Sequence, residues 1–349
     1  MSLAIRPASA ADDQEQMVEL HHRNLPDRLE GRFEWRHFAN PAGPAWSWFL
    51  YEKSNGAVVA TTSVFPRYMF VDGKKVVCGQ VGEFVVDARY RSLGPAVMLQ
   101  RATFEPVDSG AIAICYDCPP HDQGMSTFKR LGMQPNAEVF RYALPLRSDE
   151  FLRKKLGNGP WAKPAIATAN LLLNAKFSTR GNRSMQGIEI SAFDEVFGEE
   201  FTQLDQSVSS SGVIRASRSA ELLNWRYRKI PRCSYLTLVA RRAGELVGFL
   251  TALNCGGRVG IGDVFGHQFV DVSVTLIDAL VSLCRKERAS LLEGYSAEGG
   301  PWKAAFLKLG FARRERVARI VGYENPAVGG KEMLNSGICW AFNAVETIL

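Results

Sequence analysis

Three short matches recur in the same order in the two halves of this chain, and they constrain its fold more than any single motif. Trp35-Arg36-His37-Phe38 is answered by Trp225-Arg226-Tyr227-Arg228. Each precedes a strand–turn–strand pattern: Trp48 to Tyr51, Ser54-Asn55-Gly56 and Ala57 to Ala60, then Tyr235 to Val239, Ala243-Gly244-Glu245 and Leu246 to Phe249. Apolar, β-branched runs around a polar turn containing Gly are a hairpin signal. Phe128 to Met133 and Phe306 to Phe311 then close each half with a helical pattern that stops at Gly and passes into an apolar strand. Ordered self-similarity of this kind predicts two copies of one unit. The 349 residues, 46% hydrophobic and 22% charged, suffice for two filled cores.

The first half, residues 3–145, reads β-α-α-β-β-β-α-β-α-β. Ile5-Arg6-Pro7 is a short strand, Ala10 to Arg23 a helix, Val76 to Val86 a long strand, Ala111 to Tyr116 a buried strand and Val139 to Leu146 another. Residues 187–325 repeat nearly the same order, with the long helix at Val272 to Arg288. A helix between adjacent apolar strands implies a partly parallel sheet covered on both faces. The expected divisions are 1–146, a basic helical connector at 147–186, and 187–349 with a C-terminal strand. Whether the halves share one sheet or meet only through the connector is not written in the pattern.

Arg91-Ser92-Leu93-Gly94-Pro95-Ala96 follows the apolar run Phe84-Val85-Val86 and opens a helical segment, Pro95 to Phe104. A strand that turns through small residues into a helix makes an anion site: unpaired N–H groups and the helix dipole face the ligand, and Arg91 adds a fixed charge. Gly94 permits close backbone approach, and Pro95 suits a first helical position. The order [Arg/Gln]-x-x-Gly-x-[Gly/Ala] after a strand resembles the pyrophosphate loop of GNAT acyltransferases. With the order of elements, the first half is similar to a GNAT domain, and the second half to another that lacks the loop, since Gly260 to His267 leads into Val272 without it. The resemblance implies an α/β protein of two GNAT-like domains in tandem, each a mixed, mostly antiparallel sheet with helices on both faces.

It also implies a site. Acetyl-CoA or another acyl-CoA would lie along Phe84, Val85 and Val86, with its phosphates on Arg91, Ser92, Leu93, Gly94, Pro95 and Ala96. Glu83, the one carboxylate in Val76 to Val86, would be the general base, its pKa raised by an apolar cleft. The family's usual Tyr acid is replaced by Phe128, and by Phe306 in the second half; phenylalanine donates no proton. Tyr116 is the candidate substitute, with His121 in the next loop read as solvated. His21-His22 reads as a solvated pair on a helix, and His37 as a wall of the acceptor cleft.

The reaction implied is transfer of an acetyl or short acyl group to an amine of a small molecule, amino sugar or peptide. Two other classes stay open: a CoA-binding or scaffold protein without turnover, favoured by Phe128, and a tRNA-dependent aminoacyl transferase of the peptidoglycan type, which would not need the Arg91–Ala96 loop. Cys115-x-x-Cys118 has no second pair or spaced histidines, so no metal is expected, and the seven scattered cysteines read as reduced thiols. Net charge is +6, and seven basic against two acidic residues fall between Ser148 and Met185. A near-neutral remainder speaks against a nucleic-acid surface. The connector's first expected role is packing across the two domains; peripheral contact with anionic lipid through 148–185 is a second. Absence of a long apolar run or signal-like start points to the cytoplasm.

Overall fold

The computed structural model describes residues 2–24, 31–157, 159–178, 185–267, 269–329, 332–334 and 338–342. The first half comprises β1 (Leu3–Ala8), α1 (Gln14–Asn24), α2 (Phe33–His37), β2 (Trp46–Glu52), β3 (Val58–Val71), β4 (Lys74–Val86), α3 (Leu93–Ala102), α4 (Glu105–Asp108), β5 (Ile114–Asp117), α5 (Asp122–Arg130) and β6 (Ala137–Pro145). Two connector helices follow, α6 (Asp149–Leu156) and α7 (Ala162–Ser178). The second half begins with β7 (Ile188–Ala192), α8 (Glu199–Ser207), β8 (Val213–Ala216), α9 (Ala220–Leu223), β9 (Leu236–Arg242) and β10 (Glu245–Cys255). It continues with β11 (Arg258–Gly266), α10 (Phe269–Lys286), β12 (Leu291–Ala297), α11 (Trp302–Lys308), β13 (Ala312–Tyr323), α12 (Pro326–Gly329) and β14 (Cys339–Trp340).

One mixed sheet runs through both halves in the order β1-β2-β3-β4-β5-β13-β6-β12-β11-β10-β9-β7. The closing strands are exchanged. β6 lies antiparallel to β12 from Val139–Ala297 to Pro145–Leu291, while β13 crosses to pair β5 at Tyr116–Gly322. β8, which the sequence pattern does not show, pairs with β3 and with β14 and adds a second tie between the halves. Most neighbours are antiparallel; β4–β5, β11–β12 and β8–β14 are parallel, with α3 and α4 bridging the first pair and α10 the second.

Side-chain alternation explains why helices cover both faces. Trp48 and Leu50 pack on one side with Leu99 of α3 and Val107 of α4, while Phe49 between them packs with Met17 and Phe33 of α1 and the α2 turn. Leu238 and Ala240 likewise face α10, and Val239 faces α8 and α9.

The repeated Trp-Arg pairs meet in space. Trp35 and Trp225 stack with ring centroids 4.4 Å apart and planes 13° apart. Each indole N–H donates to the other tryptophan's backbone carbonyl, at 2.8 and 2.9 Å. Both rings are buried, so each N–H and carbonyl needs that partner. The exchange is reciprocal and joins the two halves of the sequence.

Candidate active site

β4 and β5 pair only over Cys78–Ile114, Gly79–Cys115 and Gln80–Tyr116, then diverge. From Val81 onward β4 keeps β3 on one edge and turns the other toward a cleft of about 710 Å³. Phe84, Val85, Val86, Arg91, Ser92 and Ala96 line it on one side; His121, Gln123, Gly124 and Thr127 line it on the other. Six of the nine residues expected to hold the donor therefore border one cavity. The remaining three, Leu93, Gly94 and Pro95, form the first turn of α3.

That helix opens at Leu93, two residues earlier than its apolar pattern suggests, so Pro95 is third in the helix rather than first. The proline still removes no intrahelical bond, because the first N–H groups of a helix have no partner within it. Ser92 caps no N–H with its side chain. A Cβ built on Gly94 would meet nothing within 4 Å, so the turn faces open space. Arg91 is exposed; its Nε donates to the Val86 carbonyl (3.1 Å) and Nη2 to Asn24 Oδ1 at the end of α1 (3.1 Å). The guanidinium is thereby fixed at the rim, where an anion could join it. α5 begins on the opposite wall, so two helix N-termini open onto the same space.

Glu83 differs from expectation. A bulge places Glu83 and Phe84 opposite Thr62, between the pairs Ser63–Gly82 and Thr61–Val85, and Glu83 adopts φ 52°. A left-handed φ is unusual for a residue with a Cβ, and the bulge re-aims the side chain. The carboxylate meets buried partners from α1 and α2: Arg36 Nη1 donates to Oε1 (3.0 Å), His37 Nε2 lies 2.8 Å from Oε2, and His21 Nε2 is 4.0 Å away. Burial would push this carboxyl up, but the hydrogen bond from His37 and the charges around it more than reverse that and hold it at about 2. The expectation of a raised pKa is corrected: the pocket is not apolar but lined by the Arg36 guanidinium and two imidazoles that the chain's first helices supply. His21 is correspondingly a buried side chain, not half of a solvated pair, and desolvation lowers its pKa.

Tyr116 lies at 1% exposure in the core, its ring against Trp340 and among Met69, Cys78 and Ile114. That position faces away from the cleft, so the structure does not bring it to a leaving group there. His121 is brought to the cleft wall, ahead of α5. Phe128 is buried against Met125 and Val321. A partly buried carboxylate that the sequence analysis does not single out is Asp117. It stands one position beyond the last β4–β5 pair, at the vertex of the fork, and shares its face with Cys115, which packs with Leu99 of α3. Burial pushes its carboxyl up to about 7, although the Cys118 N–H donates to it at 2.6 Å. The available signal was a carboxylate at the very end of an otherwise apolar strand.

The second half has the corresponding fork, with β11 and β12 paired only from Arg258–Leu291 to Gly260–Glu293. Here the space is closed. Trp302, fully buried at the start of α11, donates its indole N–H to the Val264 carbonyl at 2.7 Å. Among the described residues, all seven cysteines are free and no group of three or more His, Cys, Asp or Glu could hold a metal ion.

The sequence matches no family model and no curated protein. Solved structures do share the fold. A protein of Enterococcus faecalis described as a probable N-acyltransferase superposes with a TM-score of 0.62 at 10% identity, over 92% of this chain and 72% of that one. A GCN5-related N-acetyltransferase from Anabaena variabilis gives 0.61 at 12% identity, over 92% and 72%. Saccharomyces cerevisiae N-myristoyltransferase with bound myristoyl-CoA gives 0.56 at 13% identity, over 91% and 82%. The chain thus has the mixed-sheet GNAT-type fold, and its neighbours in fold are acyltransferases.

Proposed function

We propose that this protein is an N-acyltransferase that binds acyl-CoA in the β4–β5 fork and transfers an acetyl or short acyl group to an amine of a small molecule, amino sugar or peptide. The observation that carries the reading is the divergence of β4 from β5 around a cleft whose rim is the first turn of α3 with Arg91 beside it. The CoA pyrophosphate would take the Leu93 and Gly94 N–H groups and the Arg91 guanidinium. The pantetheine arm would run along Phe84 to Val86, whose unpaired strand edge supplies backbone groups. The N-acetyl- and N-myristoyltransferase neighbours support acyl transfer as the class of reaction.

The amine nitrogen attacks the thioester carbonyl carbon, and the tetrahedral adduct collapses with cleavage of the C–S bond. The proton the nitrogen sheds passes to water, and the departing CoA thiolate takes a proton from an acid that water then reprotonates. Asp117 is the proton donor we assign to that thiolate: it is the residue of β5 just beyond its last pair with β4, and at about 7 its carboxyl is partly protonated at neutral pH. Glu83, ionised throughout the useful range, is a weak base; it serves as the anion that orders His37 and Arg36 beside the acceptor side of the strand. Asp117→Asn is expected to lower kcat about 100-fold. The wild-type rate, followed by thiol release with a panel of amines, should fall as pH rises above about 7, when the acid is lost, and the variant's should not. An unchanged kcat would remove Asp117 from the reaction. A second reading, CoA binding without turnover, is favoured by Phe128 and by the locked state of Glu83; it predicts binding but no thiol release with any amine.

A further inference from the structure

We propose that the α6–α7 hairpin docks on an anionic lipid surface. Among the described residues, ten large hydrophobic side chains are exposed, and five of them fall within residues 151–172. They are Phe151 (67% exposed), Leu156 (48%), Trp161 (81%), Leu171 (69%) and Leu172 (66%). Pro164, Ala167, Leu171 and Ala175 are all exposed and recur every three or four positions, which puts them on one side of α7, and exposed Trp161 immediately precedes its first residue. Such a cluster is unusual on a surface that meets only water.

The hairpin is built and anchored rather than loose. Ser148 donates through N and Oγ to Asn170 Oδ1 (2.8 and 2.9 Å), and Asn170 Nδ2 donates to Asp149 Oδ2 (2.8 Å). Its buried side packs on the second-half core. Phe177 is buried there under the Arg285 guanidinium (4.5 Å), and Arg285 also donates to Asn174 (3.2 Å). The apolar outer face is therefore held in place by contacts that do not use it.

Charge selects the occupant. Residues 149–178, the two helices and their link, contain five Lys or Arg against Asp149 and Glu150, so they carry +3 of the chain's +6. Arg153, Lys154, Lys155 and Lys163 lie on the same two helices as the exposed apolar groups, and all four are exposed. A second copy of this hairpin would bring like charges together. An anionic bilayer meets both requirements: headgroups for the cations and the acyl boundary for the Trp and Leu side chains. No described helix is long and apolar enough to cross a membrane, so the hairpin lies on the surface.

The test is sedimentation of the full-length protein with phosphatidylcholine vesicles, with and without about 30 mol% phosphatidylglycerol. Binding to the anionic vesicles should be at least about tenfold tighter and should weaken from about 0.1 to 0.5 M salt as screening shortens. Lys154→Glu with Lys155→Glu, and separately Leu171→Glu with Leu172→Glu, should each lose it about tenfold or more. All four side chains are exposed, and an unchanged thermal melt checks that the fold is kept. Equal binding to neutral and anionic vesicles, no binding, or binding that survives both variants overturns the proposal. Self-association by light scattering, abolished by the leucine variant and without vesicle binding, overturns it in favour of a second copy.

Discussion

Glu83 shows how one residue can be placed by several weak signals and still be misjudged in its chemistry. It was legible as the single carboxylate of an apolar strand, and its strand position is as expected. Its partners were not legible, because His21, Arg36 and His37 come from helices whose contact with β4 depends on the bulge at Glu83 itself. Glu83→Gln would leave the buried Arg36 guanidinium without its carboxylate and should cost about 3 kcal/mol or more at neutral pH. The sign follows from the lowered pKa. The carboxylate's contribution is complete above the ordinary value of 4.5 and is lost as pH falls toward about 2. Urea titrations at pH 7 and pH 3 should therefore show a gap between wild type and variant that narrows in acid; a gap that is constant with pH would contradict the ion network. Asp117 is the opposite case. Its sequence context, a carboxylate closing the apolar strand at Cys115-Tyr116-Asp117, was a weak signal, and the elevation comes from burial that only the fold provides.

At the level of elements, the two forks share a framework and differ in their filling. Helix order, the parallel pairs and the hairpins were readable from periodicity because each uses a local pattern. The turn from β4 into α3 was readable because Arg91 to Ala96 are contiguous, although the helix starts at Leu93 rather than Pro95. The closing of the second fork was not, since Trp302 and the Val264 carbonyl are far apart in sequence. Trp302→Ala should leave a cavity beside β11 and cost about 3–5 kcal/mol. Thermal or urea unfolding measures it, and a loss under about 1 kcal/mol would mean that the indole does not fill the fork.

Over the whole molecule, the repeat predicted two similar units but not their interlocking. β6 belongs in sequence to the first half and in the sheet to the second, between β12 and β13. β13 returns the exchange by completing β5. Strand exchange depends on pairings more than a hundred residues apart, which no local pattern records. It makes the halves one cooperative body, joined also by the Trp35–Trp225 stack. Urea unfolding of the full chain should be a single transition by circular dichroism and by tryptophan fluorescence, and residues 1–146 alone should not fold, because β6 would lack both neighbours. Two separated transitions would contradict the exchange. The central claim is that one fork, and one only, holds an acyl-CoA. Calorimetric titration with acetyl-CoA and a longer acyl-CoA tests it most directly, repeated on Arg91→Glu with Gly94→Asp. The carboxylate introduced in place of Gly94 starts into open space in the free protein, so the fold should persist. One site per chain, lost in the double variant at an unchanged melting temperature, is the predicted result; no binding, or binding indifferent to both substitutions, would contradict the assignment of the cleft.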